Sequence, residues 1–470
     1  MQAQTAARGD RTEAVRRWLA FVYPGEVNGG VNLPRPLVAV RMLEQNPGLV
    51  TGSPYLACAV GDEAVLRRAT ARDPAWVNRP GGPLDLPPLV AVTHSRLLQV
   101  AEFRERLRES ARFLLAAGAD PNQRIGGRWE PASLAEPDTS QPLSALYGAA
   151  GSNRDPILTE LLLDAGADPN DGESLYHSLE NPDCTRLLLA HGARIDGSNA
   201  LYRSMDLEDA AALALLLAHG GDANEPARNK PLTDWGTPLL WAIRRRRSRR
   251  HVEALLEAGA DPSARTAAGV SAYRLALQFG LPEVAALLRE KAGDEPLSEE
   301  ERFIAACAAG DAEAAQDIAV RRRDLPGALS PAQLRLLPDL AAEGANAAVM
   351  LMVSLGWPIA VRGGDWDASA LNLAVFRGDA ALARFLLDRG ARWTEAHGFG
   401  DNVCGTLSWA SCNEPDEGGD WVGCARVLLD HGMPGATPCE DDPACVLVDG
   451  IRKRFSCEVA EVLLGEDAAP

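Results

Sequence analysis

Six of the nine cysteines lie close together near the end of the chain. They are Cys404, Cys412, Cys424, Cys439, Cys445 and Cys457, separated by 7, 11, 14, 5 and 11 residues. Structural zinc sites usually pair thiolate ligands that are only about two to four residues apart. No such pair exists here, so we predict no metal site and interpret these thiols as packing or loop residues. A zinc or redox role is the alternative.

The seven histidines also fail to form a recognisable catalytic arrangement. His191, His219 and His431 each directly precede a glycine that recurs along the chain. A polar or cationic side chain is favourable at a helix C-terminus, which is the simpler interpretation. The chain has no phosphate-binding loop, no His-Glu-X2-His motif and no Gly-X-Ser-X-Gly elbow. We therefore predict no catalytic residue, no cofactor and no enzymatic activity.

A dense run of arginines interrupts an otherwise acidic chain. Its members are Arg244, Arg245, Arg246, Arg247, Arg249 and Arg250. Such a run is usually a solvated face paired with acidic neighbours. The alternative is a docking patch for an acidic protein segment or a phosphate, because arginine forms forked hydrogen bonds with both.

Aromatic residues supply a second set of candidate contacts. Trp235 and Trp366 precede predicted helix starts, Trp241 and Phe376 fall on predicted helices, and Trp393 follows a recurrent glycine. Packing between repeats would explain those on helices. Tryptophan is enriched at interface hot spots, so we predict that these five residues and the six arginines bind a partner.

One phrase recurs along the chain and indicates the elements that position these residues. Ala111–Asn122 reads ARFLLAAGADPN, and Thr159–Asn170 reads TELLLDAGADPN. Shorter copies end at Gly192, Gly220, Gly259, Gly390 and Gly432, and a base period near 33 residues explains the spacing. The leucine pair predicts the buried stripe of a short helix, and the glycine predicts its left-handed C-cap.

A second pattern precedes the phrase in each period. Thr237-Pro-Leu predicts an N-cap followed by a helix, and Gly61-Asp62, Gly310-Asp311 and Gly378-Asp379 predict turns between paired helices. Together these motifs resemble ankyrin repeats from about residue 50 to 465, and the chain is similar to bacterial multi-ankyrin proteins of unassigned role. It departs from the pattern in having a single Thr-Pro-Leu and no histidine after it.

The resemblance implies an all-α ankyrin-repeat solenoid of about eleven helix-turn-helix repeats, with short hairpin fingers and helical caps. We expect an N-terminal cap over 1–52, a first array over 53–293, a second over 294–442 and a C-terminal cap over 443–470. The last would comprise helices near Cys445–Arg454 and Cys457–Leu464. The second array is either hinged at Gly293 or continuous with the first.

The net charge and the hydropathy of the chain disfavour several classes of partner and location. Lys and Arg total 47 against 65 Asp and Glu, a net charge of −18, which disfavours nucleic acid and anionic membranes as partners. We find neither a signal peptide nor a membrane span, and predict a cytoplasmic monomer. The resemblance implies a non-catalytic scaffold that binds a protein through its concave face and fingers. An enzyme with a site assembled across repeats and a purely structural spacer are the alternatives.

Within one ankyrin repeat, fingers and inter-helix loops are separated. This leaves open that Trp235 and the arginine run lie on opposite edges, in which case only one of them would be central to recognition.

Overall fold

Short helices make up most of the chain in the computed structural model, which describes residues 2–30, 33–129, 132–227, 235–416, 418–440 and 445–465. The chain divides into two compact units, Met1–Gly221 and Asp222–Pro470. Among the described residues, no helix combines the length and apolar character that crossing a membrane requires.

The first unit opens with three helices that precede the repeats. They are α1 (Gln2–Val22), α2 (Gly25–Asn28) and α3 (Pro36–Gln45), and α1 packs on α3. Trp18 is fully buried and its indole N–H donates to the carbonyl of Ala39 at 3.2 Å. The segment expected as an N-terminal helical cap is therefore helical and has its own buried anchor.

Five helix pairs follow in the first unit. The pairs are α4 (Pro54–Val60) with α5 (Glu63–Arg72), α6 (Pro88–Thr93) with α7 (Ala101–Ala116), α8 (Ala145–Tyr147) with α9 (Pro156–Asp164), α10 (Ser174–Ser178) with α11 (Pro182–Ala190), and α12 (Ala200–Ser204) with α13 (Ala211–Ala218). Helix α8 continues into a π-helical turn, Gly148–Ser152. Short 3-10 helices cover Pro47–Val50, Pro74–Asn78 and Arg96–Gln99.

Six pairs follow in the second unit, which brings the total in the described residues to eleven. They are α14 (Pro238–Arg244) with α15 (Arg249–Glu257), α16 (Ala272–Gln278) with α17 (Pro282–Ala292), α18 (Glu299–Ala309) with α19 (Ala312–Arg321), α20 (Pro331–Leu334) and α21 (Leu336–Ala342) with α22 (Asn346–Ser354), α23 (Ala370–Phe376) with α24 (Ala380–Asp388), and α25 (Val403–Asn413) with α26 (Trp421–Asp430).

Helix starts and stops follow the local sequence. Ser298 and Glu301 form a capping box at the start of α18, and Gly259 has φ +92° just after α15. Glycine reaches this left-handed conformation without a Cβ clash, which explains its recurrence at helix ends. Asparagine caps the start of α25, where Asn402 is the N-cap and its side chain accepts hydrogen bonds from the amides of Cys404 and Gly405.

An asparagine link joins successive repeats. The side-chain amide of Asn122 donates to the carbonyl of Gly166 at 3.2 Å, and its oxygen accepts from the amide of Asp168 at 2.8 Å. Asn170 repeats this with Gly192 and Arg194. The recurrent asparagine therefore satisfies the exposed helix end of the next repeat.

The fingers between pairs are short antiparallel hairpins. Strand β1 (Arg124–Gly127) pairs with β2 (Asp138–Ser144), and β3 (Arg362–Gly363) pairs with β4 (Ala368–Ser369). Single bridges close three others, at Gly81–Leu86, Arg265–Ser271 and Ala396–Asn402.

The C-terminal cap differs from expectation. The helix predicted over Cys445–Arg454 is wrong: β6 (Val446–Val448) and β7 (Ile451–Lys453) form a hairpin there, and β6 also pairs with β5 (Ala436–Pro438). Asp449 and Gly450 have φ +51° and +75°, as a tight hairpin turn requires. β-branched residues flank this Asp-Gly turn, so local sequence favours strands. Helix α27 (Cys457–Leu464) follows.

The second unit begins at Asp222, whereas the sequence suggested a boundary at Gly293. Gly293 lies within this unit, and α16 packs directly on α18 across it. A hinge at Gly293 stays a prediction.

Candidate functional site

A cleft with a cavity volume of about 150 Å³ lies within the second unit. Its walls are the first helices α14, α21 and α23, the end of α16, and the turn between β3 and β4. Its aromatic lining residues are Trp241, Phe279, Trp366 and Phe376. Its charged lining residues are Arg244, Arg245, Asp339, Glu343, Asp365 and Arg377. The cleft is thus aromatic and carries both signs of charge.

Two stacked indoles form one wall. The rings of Trp235 and Trp241 lie 4.3 Å apart at an interplanar angle of 23°. Trp241 is 7% exposed, and the indole N–H of Trp235 donates to Asp365 Oδ1 at 3.2 Å. The guanidinium of Arg245 lies 5.6 Å from the Trp241 ring centroid. Trp235 therefore supports Trp241 from outside the cleft lining.

A second wall is a series of aromatic rings. They lie on α23, on α25 and on two fingers, the β3–β4 hairpin and the one closed by the Ala396–Asn402 bridge. Trp366 and Phe376 are half-buried, with centroids 5.6 Å apart. Phe376 stacks on Trp409 at 5.5 Å and 8°. Trp409 is 46% exposed, and Phe399, which stacks on Trp366 at 6.4 Å, is 79% exposed. These rings form an apolar surface that continues out of the cleft.

The four residues that follow the first helices of these repeats meet in the cleft. Each is the C-cap of its helix: Arg245 after α14, Phe279 after α16, Glu343 after α21 and Arg377 after α23. Arg245 forms an ion pair with Glu343 at 2.6 Å. Arg377 donates to the carbonyl of Ala342 at 3.2 Å and pairs with Asp416 at 3.0 Å.

Two carboxyl groups in the cleft have raised pKa values. Burial raises the pKa of Asp339, opposed by the nearby charge of Arg244 and by the amide of Gly364, which donates to Oδ1 at 2.8 Å. Burial also raises the pKa of Glu343, opposed by Arg245. Desolvation disfavours each charged form, so both carboxylates accept protons more readily than in water.

The arginine run divides between the cleft and the surface. Arg246 has φ +50° and occupies the turn position that Gly280, Gly344 and Gly378 fill in other repeats. Its Nε donates to the carbonyl of Phe279 at 3.0 Å, and burial lowers its pKa. This turn directs the preceding residues toward the cleft.

The rest of the run lies away from the cleft lining. The Nε of Arg247 donates to the carbonyl of Arg245 at 2.7 Å. Arg249 pairs with Glu253 at 2.7 Å on α15, and Arg250 is exposed on the same helix. These three residues therefore flank the site.

Comparisons with known proteins return ankyrin repeats. The chain is similar to the human ASB11 ankyrin repeat domain, at 18% identity and TM-score 0.23, covering 50% of this chain and 99% of that one. It is also similar to the ankyrin repeat domain of Bcl-3, described as a unique member of the IkappaB protein family. There the identity is 19% and the TM-score 0.24, covering 57% of this chain and 99% of that one. No family model and no curated protein matches.

The fold is an ankyrin-repeat stack. The helix pairs, the fingers and the asparagine links carry this assignment in each unit. The likeness to bacterial multi-ankyrin proteins stays a prediction.

The structure brings together six of the eleven residues predicted from sequence. Trp241, Arg244, Arg245, Trp366 and Phe376 line the cleft, and Trp235 stacks behind it. The fingertip tryptophans and the start of the arginine run thus lie on one cleft. Trp393 is half-buried and is not among the lining residues. Whether any of the eleven binds a partner stays a prediction.

Sequence reasoning missed Phe279, Asp339, Glu343, Asp365 and Arg377. Three of these are the C-caps already described, each directly before a turn glycine. Aligning that one position between repeats would have found them. Asp339 lies inside a helix, and we see no sequence pattern that distinguishes it.

A second concentration of buried polar groups lies in the first unit. The hydroxyl of Tyr147 donates to the two carboxylate oxygens of Glu26 at 3.0 and 3.1 Å, and burial raises the pKa of Glu26. Arg128 donates to the carbonyls of Val27 and Leu84 at 2.8 and 2.7 Å. These contacts fasten α2 to the third helix pair.

The recurrent histidines confirm the helix-end interpretation. A ring nitrogen of His191, His219 and His431 lies 2.8 to 2.9 Å from the carbonyl four residues earlier. Each side chain therefore contacts the end of its own helix.

Two cysteines are close neighbours. The amide of Cys439 donates to the carbonyl of Cys445 at 3.3 Å across the β5–β6 pair. Within the described ranges, no group of three or more His, Cys, Asp or Glu residues could hold a metal ion. Absence of stoichiometric zinc stays a prediction that elemental analysis of purified protein would check.

Proposed function

We propose that this chain is a non-catalytic scaffold and that the cleft of the second unit binds a segment of a protein partner. One observation carries this proposal. Aromatic and arginine side chains from repeats far apart in sequence, including Trp241, Arg244, Trp366 and Phe376, converge on one open cleft.

The physical properties of the cleft favour a protein segment. Stacked repeats hold the aromatic rings on a stiff frame, so little side-chain entropy is lost when a partner binds. Half-buried Trp366 and Phe376 offer large contact areas, as interface anchors do. A volume of about 150 Å³ suits one or two side chains of an extended segment. The exposed rings of Phe399 and Trp409 continue the apolar surface for flanking residues.

Charge and thiol content support the finer proposals. A net charge of −18 opposes nucleic acid and anionic membrane surfaces as partners. The nine cysteines are free thiols, as in a reducing compartment, so we also propose a cytoplasmic location. We propose a monomer, in which the aromatic cleft stays available to a different protein.

An enzyme assembled across repeats is the second candidate. Two buried carboxyl groups with raised pKa values, Asp339 and Glu343, favour it, because active sites often concentrate such groups. We prefer binding for two reasons. Glu343 is already paired with Arg245, and the described lining contains no serine, cysteine, histidine, lysine or tyrosine to act as a nucleophile or base. A spacer role is disfavoured by the aromatic walls, since an inert wall would be polar.

Affinity capture from native cell extract tests the proposal. Wild-type protein is compared with a Trp366→Ala, Phe376→Ala double variant, and Trp129→Ala, which removes an exposed tryptophan of the first unit, serves as the control. We expect mass spectrometry to identify proteins that the wild type and the control retain and the double variant loses. Equal recovery by all three folded proteins would contradict a role for the cleft.

A further inference from the structure

Arg244 differs from the other two arginines of the cleft. Arg245 is neutralised by Glu343, and Arg377 by Asp416. Among the described residues, the side chain of Arg244 forms no hydrogen bond and no ion pair, and its Nε is buried without a partner. Its guanidinium lies 5.9 Å from the ring centroid of Phe279.

An unpaired guanidinium in this position is costly. A buried donor without an acceptor keeps its desolvation penalty, and the penalty is larger when the group is charged. The Phe279 ring at 5.9 Å is near the outer limit of cation–π attraction and leaves the N–H donors free. Arg244 is therefore a donor that lines the cleft and lacks an acceptor in it.

The neighbouring acidic groups leave Arg244 without a close counter-ion. Glu343 is paired with Arg245, and Asp416 is paired with Arg377. Asp339 and Arg244 interact electrostatically, but they form no ion pair within 4.0 Å among the described residues. The backbone amide of Gly364 already holds Asp339.

We propose that the cleft binds an acidic side chain, aspartate or glutamate, of a partner segment, with its carboxylate on Arg244. This rests on the proposed function. The carboxylate accepts forked hydrogen bonds from the guanidinium, and adjacent apolar atoms of the partner pack on Trp366 and Phe376.

A single carboxylate fits the cleft better than a phosphate or a neutral amide does. Asp339 and Glu343 also line the cleft, and they would repel a doubly charged phosphate more strongly than a singly charged carboxylate. A carboxamide would accept hydrogen bonds but leave the charge of Arg244 unneutralised. Carboxylate pairing with arginine is both forked and charge-assisted, which makes it the strongest match.

Selection from a random peptide display library tests this chemistry without a known partner. The baits are wild-type protein, Arg244→Gln and Arg289→Gln. Arg289 is a matched control, because it is an arginine exposed on α17, outside the cleft lining and outside the eleven predicted binding residues. We expect wild type and Arg289→Gln to enrich peptides with Asp or Glu next to an apolar residue, and Arg244→Gln to lose that enrichment.

A double-mutant cycle on one selected peptide measures the pair itself. Changing its acidic residue to the amide should weaken binding to wild type by about tenfold or more, as expected for a hydrogen-bonded charge. The same change should have little further effect on Arg244→Gln. Arg244→Lys, which keeps the charge without the fork, should retain part of the affinity, and circular dichroism checks that each variant folds.

The outcomes separate the two proposals. Selected peptides that need Trp366 but are enriched in basic or amide residues would overturn the acidic assignment and leave the binding function standing. If wild type enriches no peptide, or if Trp366→Ala leaves all selected peptides bound, the cleft is not a protein-binding site and both proposals fail.

Discussion

Arg245 and Glu343 form an ion pair at 2.6 Å although 98 residues separate them in the chain. The pair joins the end of α14 to the end of α21. Trp235 and Asp365, 130 residues apart, make a second bridge at 3.2 Å. A simple solenoid couples each repeat to its neighbours alone. These two bridges couple repeats that are not adjacent, so the cleft region should unfold more cooperatively than nearest-neighbour contacts imply.

Arg245→Gln should destabilise the second unit by about 1–3 kcal/mol. The change leaves the Glu343 carboxylate, whose side chain is 10% exposed, without its cation, and breaking a largely buried pair is costly. Hydrogen exchange should show faster exchange in both α14 and α21. Arg249→Gln is the control, since its pair with Glu253 is exposed and should matter far less. Loosening confined to α14 would contradict the long-range coupling.

Asp339→Asn should stabilise the protein at neutral pH. Burial raises the folded-state pKa of Asp339 despite the opposing charges of Arg244 and Arg335, and Asp365 raises it further. The stability that the Asp339 carboxyl contributes is therefore complete below the ordinary aspartate pKa, and it is lost as pH rises through the raised pKa of the folded state. The neutral amide avoids that loss, by about 1.4 kcal/mol for each unit of pKa elevation.

Denaturant unfolding at several pH values checks this sign. The advantage of Asp339→Asn over wild type should shrink as pH falls toward 4, about the ordinary aspartate pKa. Asp324→Asn is a control of opposite sign, because hydrogen bonds from Arg322 lower the pKa of that exposed carboxyl. A stability difference for Asp339→Asn that stays constant with pH would show that the carboxyl has an ordinary pKa.

Asn170→Ala should weaken the first unit by about 1–2 kcal/mol. Two hydrogen bonds to the next repeat are lost, to the carbonyl of Gly192 at 3.2 Å and from the amide of Arg194 at 2.9 Å. Asn413→Ala is a matched control, because that amide bonds only within its own turn, to Trp409. Similar thermal shifts in the two variants would argue against the asparagine as a link between repeats.

The repeat architecture was predictable because its determinants are local. The leucine pair, the recurrent glycine at the helix end and the Ser298–Glu301 capping box each specify structure within a few residues. The C-terminal hairpin had an equally local pattern in Asp449-Gly450, which a helical interpretation of Cys445–Arg454 overlooked.

The cleft was only partly predictable, because it depends on how repeats that are distant in sequence pack together. Nothing in the sequence near Arg245 indicates that Glu343 will lie against it. The positive φ of Arg246 shows that this residue replaces a turn glycine, and that position aligns Arg245 with Phe279, Glu343 and Arg377. Comparing the residue before the turn across repeats is thus the one sequence route to the charged lining.

Trp235→Ala should weaken partner binding by acting through Trp241. Trp235 is outside the cleft lining, but it stacks on Trp241 at 4.3 Å and 23° and donates to Asp365. Without it, Trp241 and the finger that carries Asp365 lose a shared support worth about 1–2 kcal/mol. We expect faster dissociation of a peptide selected on the cleft, with little change in helicity.

The stack of Trp235 on Trp241 itself has a spectroscopic signature, because two indoles this close give an exciton couplet in circular dichroism. Trp235→Phe should abolish the couplet while Trp393→Phe retains it. A wild-type spectrum with no couplet would contradict the stack, and unchanged peptide dissociation in a folded Trp235→Ala variant would show that Trp241 needs no support.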